Sequence, residues 1–220
     1  MEGHDHTGVL VVCNASADPA RADEWAGWYR HHLDQVLETG IYHHASRFKI
    51  SEGFRFPAEA THLSVFETSR DDTAGAFADM TEALLHTNTP DRPPSIRSLV
   101  STYRKISEHG DGSGRRANGV VMVFTDCTDP AQEDAFNDWY EFHGPHVLEM
   151  MDYFCVTRYV ADNPEYWQAK YLAIYETWRD DPGTVQREGW EQYFSMSPEE
   201  RGPDAPAMKL WGEIACEREY

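Results

Sequence analysis

The sequence predicts an α+β fold made of two similar halves, and two observations support this prediction. The segment 8–48 aligns without a gap on 119–159, at an offset of 119 − 8 = 111 residues, and 15 of the 41 aligned pairs are identical. Each half also alternates short β-rich runs with helical runs in the same order. We therefore expect two copies of one compact unit in this chain of 220 residues.

Each half is predicted to begin with a strand and a helix. The strands are β-rich runs at 9–12 and 120–124, each followed by a polar turn. The tripeptide Asp-Pro-Ala comes next in both halves, and an aspartate cap before a proline is typical of a helix start. In the first half Trp25, Tyr29 and His32 then recur at helical steps.

The rest of each half is predicted to contain two more strands, a second helix and a closing strand. These elements are expected at 45–50, 62–66, 73–86 and 98–103 in the first half, and at 156–161, 171–175, 184–196 and 208–211 in the second. The resulting order, β-α-β-β-α-β, is that of a ferredoxin-like unit.

Two such units are expected to bury one another. Both helices of a unit cover the same sheet face, so the other face needs a partner. We expect the two sheets to pack face to face or to close into a barrel, which makes an intramolecular dimer. The first unit is placed at 1–106 and the second at 119–220, joined by a flexible Gly- and Ser-rich linker at 107–118.

Composition limits the possible partners. The chain carries 19 basic and 38 acidic residues, a net charge of −19, which repels nucleic acid and anionic membrane surfaces. It has no apolar run of membrane-spanning length, and its four cysteines form no Cys-x-x-Cys pair. We expect a cytoplasmic protein with reduced cysteines, no nucleic-acid or membrane partner, and a monomeric pseudo-dimeric or homodimeric state.

Both halves share a Trp-Tyr-x-x-His motif in the first helix, followed four residues later by Val-Leu. The motif begins at Trp28 in the first half and at Trp139 in the second. It resembles the helix-one motif of the dimeric α-β barrel superfamily, in particular its EthD-like branch, where Trp-Tyr-x-x-His-x-Pro is typical. The first half departs from that pattern because Asp34 stands where the second half has Pro145.

The resemblance implies a dimeric α-β barrel with small, usually cofactor-free sites inside the barrel or at its mouth. Members of the superfamily act as polyketide cyclases, dehydratases, lactone isomerases and cofactor-independent monooxygenases, and some branches bind haem. We accordingly expect no cofactor and an aromatic or polyketide-like small-molecule substrate. The fold is a weaker guide to the reaction than to the place of the site.

Three histidines are the candidate catalytic residues. His32 and His143 occupy the same motif position, and a neutral imidazole can accept a proton near pH 7. Each could instead be a packed histidine that only supports the next strand. Alternation places His62 on one face of the third strand, opposite its aliphatic residues. We expect the aliphatic face to meet the helices, so that His62 and its counterpart Tyr171 point into the barrel, as in the resembled plant polyketide cyclases.

Candidate substrate-binding residues surround these histidines. Arg47 and Arg158 could stabilise a carboxylate, enolate or phenolate, or could form salt bridges to Glu67 and Glu176 instead. The remaining candidates are aromatic or imidazole side chains of the motif helices, of which the tyrosines are more often core: Tyr29, Tyr140, Trp28, Trp139 and His146.

No metal site is expected. The spaced pair His143 and His146 could chelate on a helix, but Pro145 between them should break the helix or mark its end. Nothing separates a haem ligand from the other histidines. The sequence also lacks the glycine patterns of nucleotide sites and the elbow of acyl-transfer enzymes.

These observations favour a cofactor-independent enzyme that uses histidine acid/base chemistry for cyclisation, dehydration or isomerisation. The alternatives are a cofactor-free monooxygenase of phenols or anthrones and a non-catalytic haem- or metabolite-binding protein. The halves differ at several polar positions, with Tyr171 replacing His62 in the second half. If only one site is active, this difference favours the first half.

Overall fold

The structure is a computed structural model that describes residues 5–53, 60–87, 92–112, 114–162 and 169–220. Within these residues it is an α+β protein with eight strands and five helices. The first half contains β1 (Gly8–Ser16), α1 (Ala22–Glu38), β2 (His44–Ile50), β3 (His62–Thr68), α2 (Thr73–Leu85) and β4 (Ser95–Gly110). The second half contains β5 (Gly119–Cys127), α3 (Glu133–Met150), β6 (Cys155–Ala161), β7 (Tyr171–Thr177), α4 (Pro182–Ser195), the short α5 (Pro198–Arg201) and β8 (Met208–Arg218).

The strands form one closed antiparallel barrel. Its order is β1-β3-β2-β8-β5-β7-β6-β4, so each half contributes four adjacent strands in the ferredoxin-like arrangement 4-1-3-2. Two seams join the halves, β2 with β8, where Phe48 faces Arg218, and β4 with β6, where Tyr103 faces Ala161. The expected barrel is therefore present, closed through these two seams rather than open as two stacked sheets.

The motif helices begin as the sequence predicts and differ at one interior position. Asp18 and Asp129 each cap a short 3-10 turn, at Pro19–Arg21 and Pro130–Gln132, that leads into α1 and α3. The prediction that Pro145 interrupts the helix is wrong, because α3 continues through it to Met150. Proline fits helical φ, and the backbone bond that it removes lies at a solvent-exposed position of the helix.

The barrel interior is filled with side chains from all eight strands. Val11, Phe48, Met122 and Ile214 belong to one buried cluster that contains no helix residue. Two further clusters lie on the outer surface of the barrel, one beneath α1 and α2 and the other beneath α3 and α4. The described part of the interior is therefore mostly packed core, and the two cavities described below lie outside it.

The predicted orientation of the third strand is inverted. Leu63 and Val65 of β3 lie in the barrel interior, whereas Phe66 packs under the helices and the His62 ring lies 5.1 Å from that of Trp25. Both faces of a strand in this barrel are buried, one by the interior and one by helices. The aliphatic face of β3 packs against the apolar side chains of the interior, and the face that carries His62 packs against the helices.

The segment predicted as a linker is partly strand. Residues 107–110 belong to β4 and pair with β6, for example Ser107 with Arg158 and Gly110 with Cys155. Gly110 ends the strand at a positive φ of 89°, and a Cβ there would lie 2.2 Å from the carbonyl oxygen of Phe154. Glycine at this position therefore allows the chain to turn closely against the second half.

Candidate functional site

Two cavities lie on the outer surface of the barrel, between the helices and the strands. The first cavity, about 570 Å³, is bounded by α1, α2, β1 and β4. The second cavity, about 270 Å³, is bounded by α3, α4, β5 and β8. Each is lined by the Trp, Tyr and His of the shared motif and by the valine that follows it: Trp28, Tyr29, His32 and Val36 in the first, and Trp139, Tyr140, His143 and Val147 in the second.

His143 lies on the wall of the second cavity. Its ring stacks on Trp139 with centroids 4.2 Å apart and an interplanar angle of 17°, and meets the Tyr140 ring edge-on at 5.9 Å. Burial, followed by the charges of His146 and Arg158, lowers the pKa of His143 to about 4. The imidazole is therefore neutral at physiological pH and can accept a proton.

Glu213 on β8 lines the same cavity. The Trp190 indole Nε1 donates a hydrogen bond of 3.2 Å to its Oε1. Burial raises the pKa of the Glu213 carboxyl, while hydrogen bonds from Trp190 and Gln186 partly oppose this effect. The second cavity thus places a neutral imidazole and a carboxyl group within one aromatic enclosure.

A buried polar pair supports the floor of the second cavity. The Tyr153 hydroxyl donates a hydrogen bond of 2.5 Å to Oε1 of Gln186, and both residues line the cavity. Burial raises the pKa of the Tyr153 hydroxyl, which keeps it protonated. The hydrogen bond fixes Gln186 on α4 beside Glu213.

His32 occupies the matching place in the first cavity. Its ring stacks on Trp28 with centroids 4.9 Å apart and an interplanar angle of 14°, and meets Tyr29 edge-on at 5.7 Å. The polar groups around this cavity include Asn14 and Arg92. The two cavities therefore share one aromatic and imidazole wall but differ on the opposite side.

The two predicted anion-binding arginines lie beneath the cavity tyrosines and line neither cavity. The Arg47 guanidinium carbon is 3.8 Å from the centre of the Tyr29 ring, and its Nε is 3.2 Å from Oε2 of Glu219. Arg158 is likewise 3.8 Å from the Tyr140 ring, and donates a 3.0 Å hydrogen bond to Asn137.

The alternative salt bridges of these arginines to Glu67 and Glu176 are also wrong. Glu67 shares the interior face of β3 with Leu63, and Glu176 shares the interior face of β7 with Ile174. The arginines point to the helices instead. The barrel wall separates the charges, so the strand faces and not the sequence pairing decide the partners.

The remaining predicted residues lie outside the two cavities. Nε2 of His62 lies 3.3 Å from Oε1 of Glu219, on the helix side of β3. Tyr171 is buried, with its hydroxyl bonded to Glu133. His146 stacks on Phe142 with centroids 5.5 Å apart. His146 lowers the pKa of His143 without reaching the cavity surface.

The residues that distinguish the second cavity were not predicted from sequence. Glu213, Gln186 and Trp190 come from α4 and β8, where the two halves have little sequence similarity. A search for features shared by both halves therefore misses them. The feature that marks them is a difference between the halves: they are polar or aromatic residues that line a cavity and occur in only one half.

The described residues contain neither a candidate metal-binding group nor a membrane-spanning helix. No group of three or more histidine, cysteine, aspartate or glutamate side chains there could hold a metal ion. The four cysteines are free thiols. None of the described helices combines the length and the apolar character needed to span a bilayer.

Neither a family model nor a curated protein sequence matches the chain. Solved structures do match. A mutant chlorite dismutase from Candidatus Nitrospira defluvii has 9% identity and a TM-score of 0.59, covering 99% of this chain and 92% of that one. A heme-binding protein from Thermus thermophilus has 11% identity and a TM-score of 0.55, covering 97% and 91%.

An anthrone oxidase-like protein is also similar, with 13% identity, a TM-score of 0.54, and coverage of 98% of this chain and 92% of that one. At these identities the likeness concerns the fold alone. The chain has the dimeric α-β barrel fold shared with chlorite dismutase-like proteins. Function must be argued from the cavities.

Proposed function

We propose that the chain is an enzyme that binds an aromatic or polyketide-like small molecule in the second cavity and moves a proton through His143. The observation that carries this proposal is a histidine held neutral on the aromatic wall of a cavity that is also lined by a partly buried carboxyl group. Such paired groups are typical of acid/base sites. Tyr140 and Trp139 position the imidazole by ring contacts.

The low basicity of His143 restricts the substrate. A base with a pKa of about 4 is best matched to carbon-bound protons that are comparatively acidic. Carbon acids flanked by carbonyl groups, and the methylene of an anthrone, have such protons because their anions are delocalised. This property supports cyclisation, dehydration or isomerisation of a polyketide-like compound, without a cofactor.

Oxygenation of a phenol or anthrone would begin with the same deprotonation. The fold shared with an anthrone oxidase-like protein is compatible with this second reaction but does not choose it. Oxygen dependence of turnover separates the two reactions. The recurring element order and the matched cavities support two fused units, predicted at 1–106 and 119–220, with β4 extending the first unit to Gly110. The helix motif supports the EthD-like branch.

The second half is favoured over the first, contrary to the sequence-based expectation. His62, on which that expectation depended, binds Glu219 outside the first cavity. Of these two cavities, the second combines the motif histidine with a partly buried carboxyl group, Glu213, whereas no carboxyl group lines the first among the described residues. The two halves therefore have one architecture and different chemistry.

The test uses anthrone as a probe under argon. Wild-type protein should accelerate deuterium incorporation into the anthrone methylene in D2O, followed by NMR. His143→Gln should lower the catalysed rate by about 10² to 10⁴, the usual contribution of a positioned base. His32→Gln is the matched control and should retain the rate. Equal rates for wild type and His143→Gln would remove His143 from catalysis.

Haem binding in the first cavity is a second candidate. Its volume of about 570 Å³ and its histidine wall fit a macrocycle, whereas the second cavity, at about 270 Å³, is too small. His32 would hold the iron and Arg92 could bind a propionate. Bound haem would supply redox chemistry. A Soret band that appears with added hemin in wild type and is lost in His32→Ala supports this candidate, and no band rejects it.

A further inference from the structure

The two cavities differ in charge at one structurally matched position. Val12 in β1 pairs with Val100 in β4, and Val123 in β5 pairs with Glu213 in β8. All four residues line a cavity. Glu213 of the second half thus stands where the first half has an apolar side chain.

The charged lining of the second cavity is acidic only. Glu213 and Asp204 line it, and no lysine or arginine does among the described residues. None of the described cationic side chains pairs with Glu213, whose hydrogen-bond partners are the Trp190 indole and the Gln186 amide. Partial burial of the Glu213 carboxyl disfavours its charged form when no countercharge is present, so a cationic ligand would offset this cost.

The walls around Glu213 suit a cation as well. Trp139, Trp190 and Tyr193 present aromatic rings to the cavity. Ring faces attract an ammonium group that is desolvated against them. One cation, Arg201, already lies 5.6 Å from the Tyr193 ring centre without lining the cavity.

We propose that the second cavity selects an aromatic ligand that carries a protonated amine, and that Glu213 is the residue that recognises the amine. This inference rests on the proposed function and narrows its substrate class. The cavity of the first half, with Val100 at this position and Arg92 as its charged lining residue, lacks this preference.

The test compares three ligands of one ring system by calorimetry at pH 7.5: 1-naphthylmethylamine, 1-naphthylmethanol and 1-naphthoate. The amine should bind wild-type protein at least about tenfold more tightly than the alcohol, which corresponds to about 1.4 kcal/mol. The naphthoate should bind most weakly. In Glu213→Gln and Glu213→Val the amine and the alcohol should bind equally.

Glu217→Gln is the matched control, because it removes the same charge from the same strand while Glu217 does not line the cavity. It should keep the preference, whereas a preference caused by the net charge of −19 would weaken equally in all variants. A second measurement needs no variant. Because burial raises the pKa of the Glu213 carboxyl, amine binding should release a larger fraction of a proton as the pH is lowered, and the binding heat should then change with the ionisation enthalpy of the buffer.

Equal binding of amine and alcohol to wild type, absence of binding by all three, or a preference that survives in Glu213→Gln would overturn the inference. These outcomes are distinct from failure of the proposed function. Amine selectivity that depends on Glu213, with deuterium exchange unaffected in His143→Gln, would leave the recognition intact and remove the catalytic role.

Discussion

The guanidinium carbon of Arg158 lies 3.8 Å from the centre of the Tyr140 ring. Tyr140 in turn separates this cation from the second cavity, which it lines together with His143. Arg158 therefore acts on the cavity through its electric field and not by contact with a ligand. The same arrangement of Arg47 and Tyr29 recurs beneath the first cavity.

Arg158→Met should raise the pKa of His143 from about 4 toward its ordinary value, because the arginine charge disfavours the imidazolium. The rise should be partial, since burial is the largest cause of the lowered pKa. NMR titration of the His143 ring protons measures it. Arg47→Met is the matched control in the other half and should not change this pKa, and an unchanged value in Arg158→Met would contradict the argument.

His143 should also make folding stability depend on pH. Its folded pKa of about 4 lies below the ordinary 6.5, so the unfolded chain binds more protons between these values. The free energy of unfolding is therefore unaffected by this group above pH 6.5 and falls as the pH is lowered. The loss is complete below about pH 4, where it approaches about 3 kcal/mol.

Urea unfolding of wild type and His143→Gln from pH 4 to 8 tests this dependence. The wild type should lose more unfolding free energy than the variant as the pH falls. Parallel curves for the two proteins would show that His143 is not the group responsible.

Glu219→Gln should destabilise the fold because it removes the countercharge of Arg47, whose side chain is fully buried. The expected loss in unfolding free energy is about 2 kcal/mol, reduced by the partial exposure of Glu219. When Arg47 is already changed to Met, Glu219→Gln should lower the unfolding free energy by less than it does in the wild-type protein. Strict additivity in urea unfolding would argue against a coupled pair.

Tyr159→Phe should lower the unfolding free energy by about 1 kcal/mol. The Tyr159 hydroxyl lies 2.8 Å from Nε2 of His6, whose Nδ1 is 3.5 Å from Glu67, so the change removes a bond between the two halves inside the barrel. Tyr42→Phe is the control, since the buried Tyr42 hydroxyl has no hydrogen-bond partner among the described residues. Equal losses in the two variants would contradict this assignment.

The element order could be predicted from sequence because strand alternation, helix periodicity and the Asp-Pro starts are local signals. The face of each strand that points into the barrel could not be predicted in this way. In β3, Leu63 and Phe66 are both almost fully buried, one inside the barrel and one under helices. Burial alternation alone cannot separate these two environments, so the alternation predicts the wrong side of the strand for His62.

Only part of the candidate site could be predicted from sequence, for a related reason. The motif residues Trp139, Tyr140 and His143 line a cavity, and internal similarity pointed to them. Internal similarity does not point to Glu213, because the residue at the matched position of the first half is the apolar Val100. Register between strands, which reveals that match, exists only once the barrel is folded.

Binding of an aromatic small molecule against His143 in the second cavity underlies both the proposed reaction and the proposed amine recognition. The most direct test is an NMR screen of aromatic ligands that follows the ring-proton signals of His143 and His32 in one sample. We expect aromatic ligands to shift the His143 signal, and binding to be lost when Ala205, which lines the same cavity, is changed to Trp. Ligands that shift only the His32 signal, or no signal at all, would contradict this expectation.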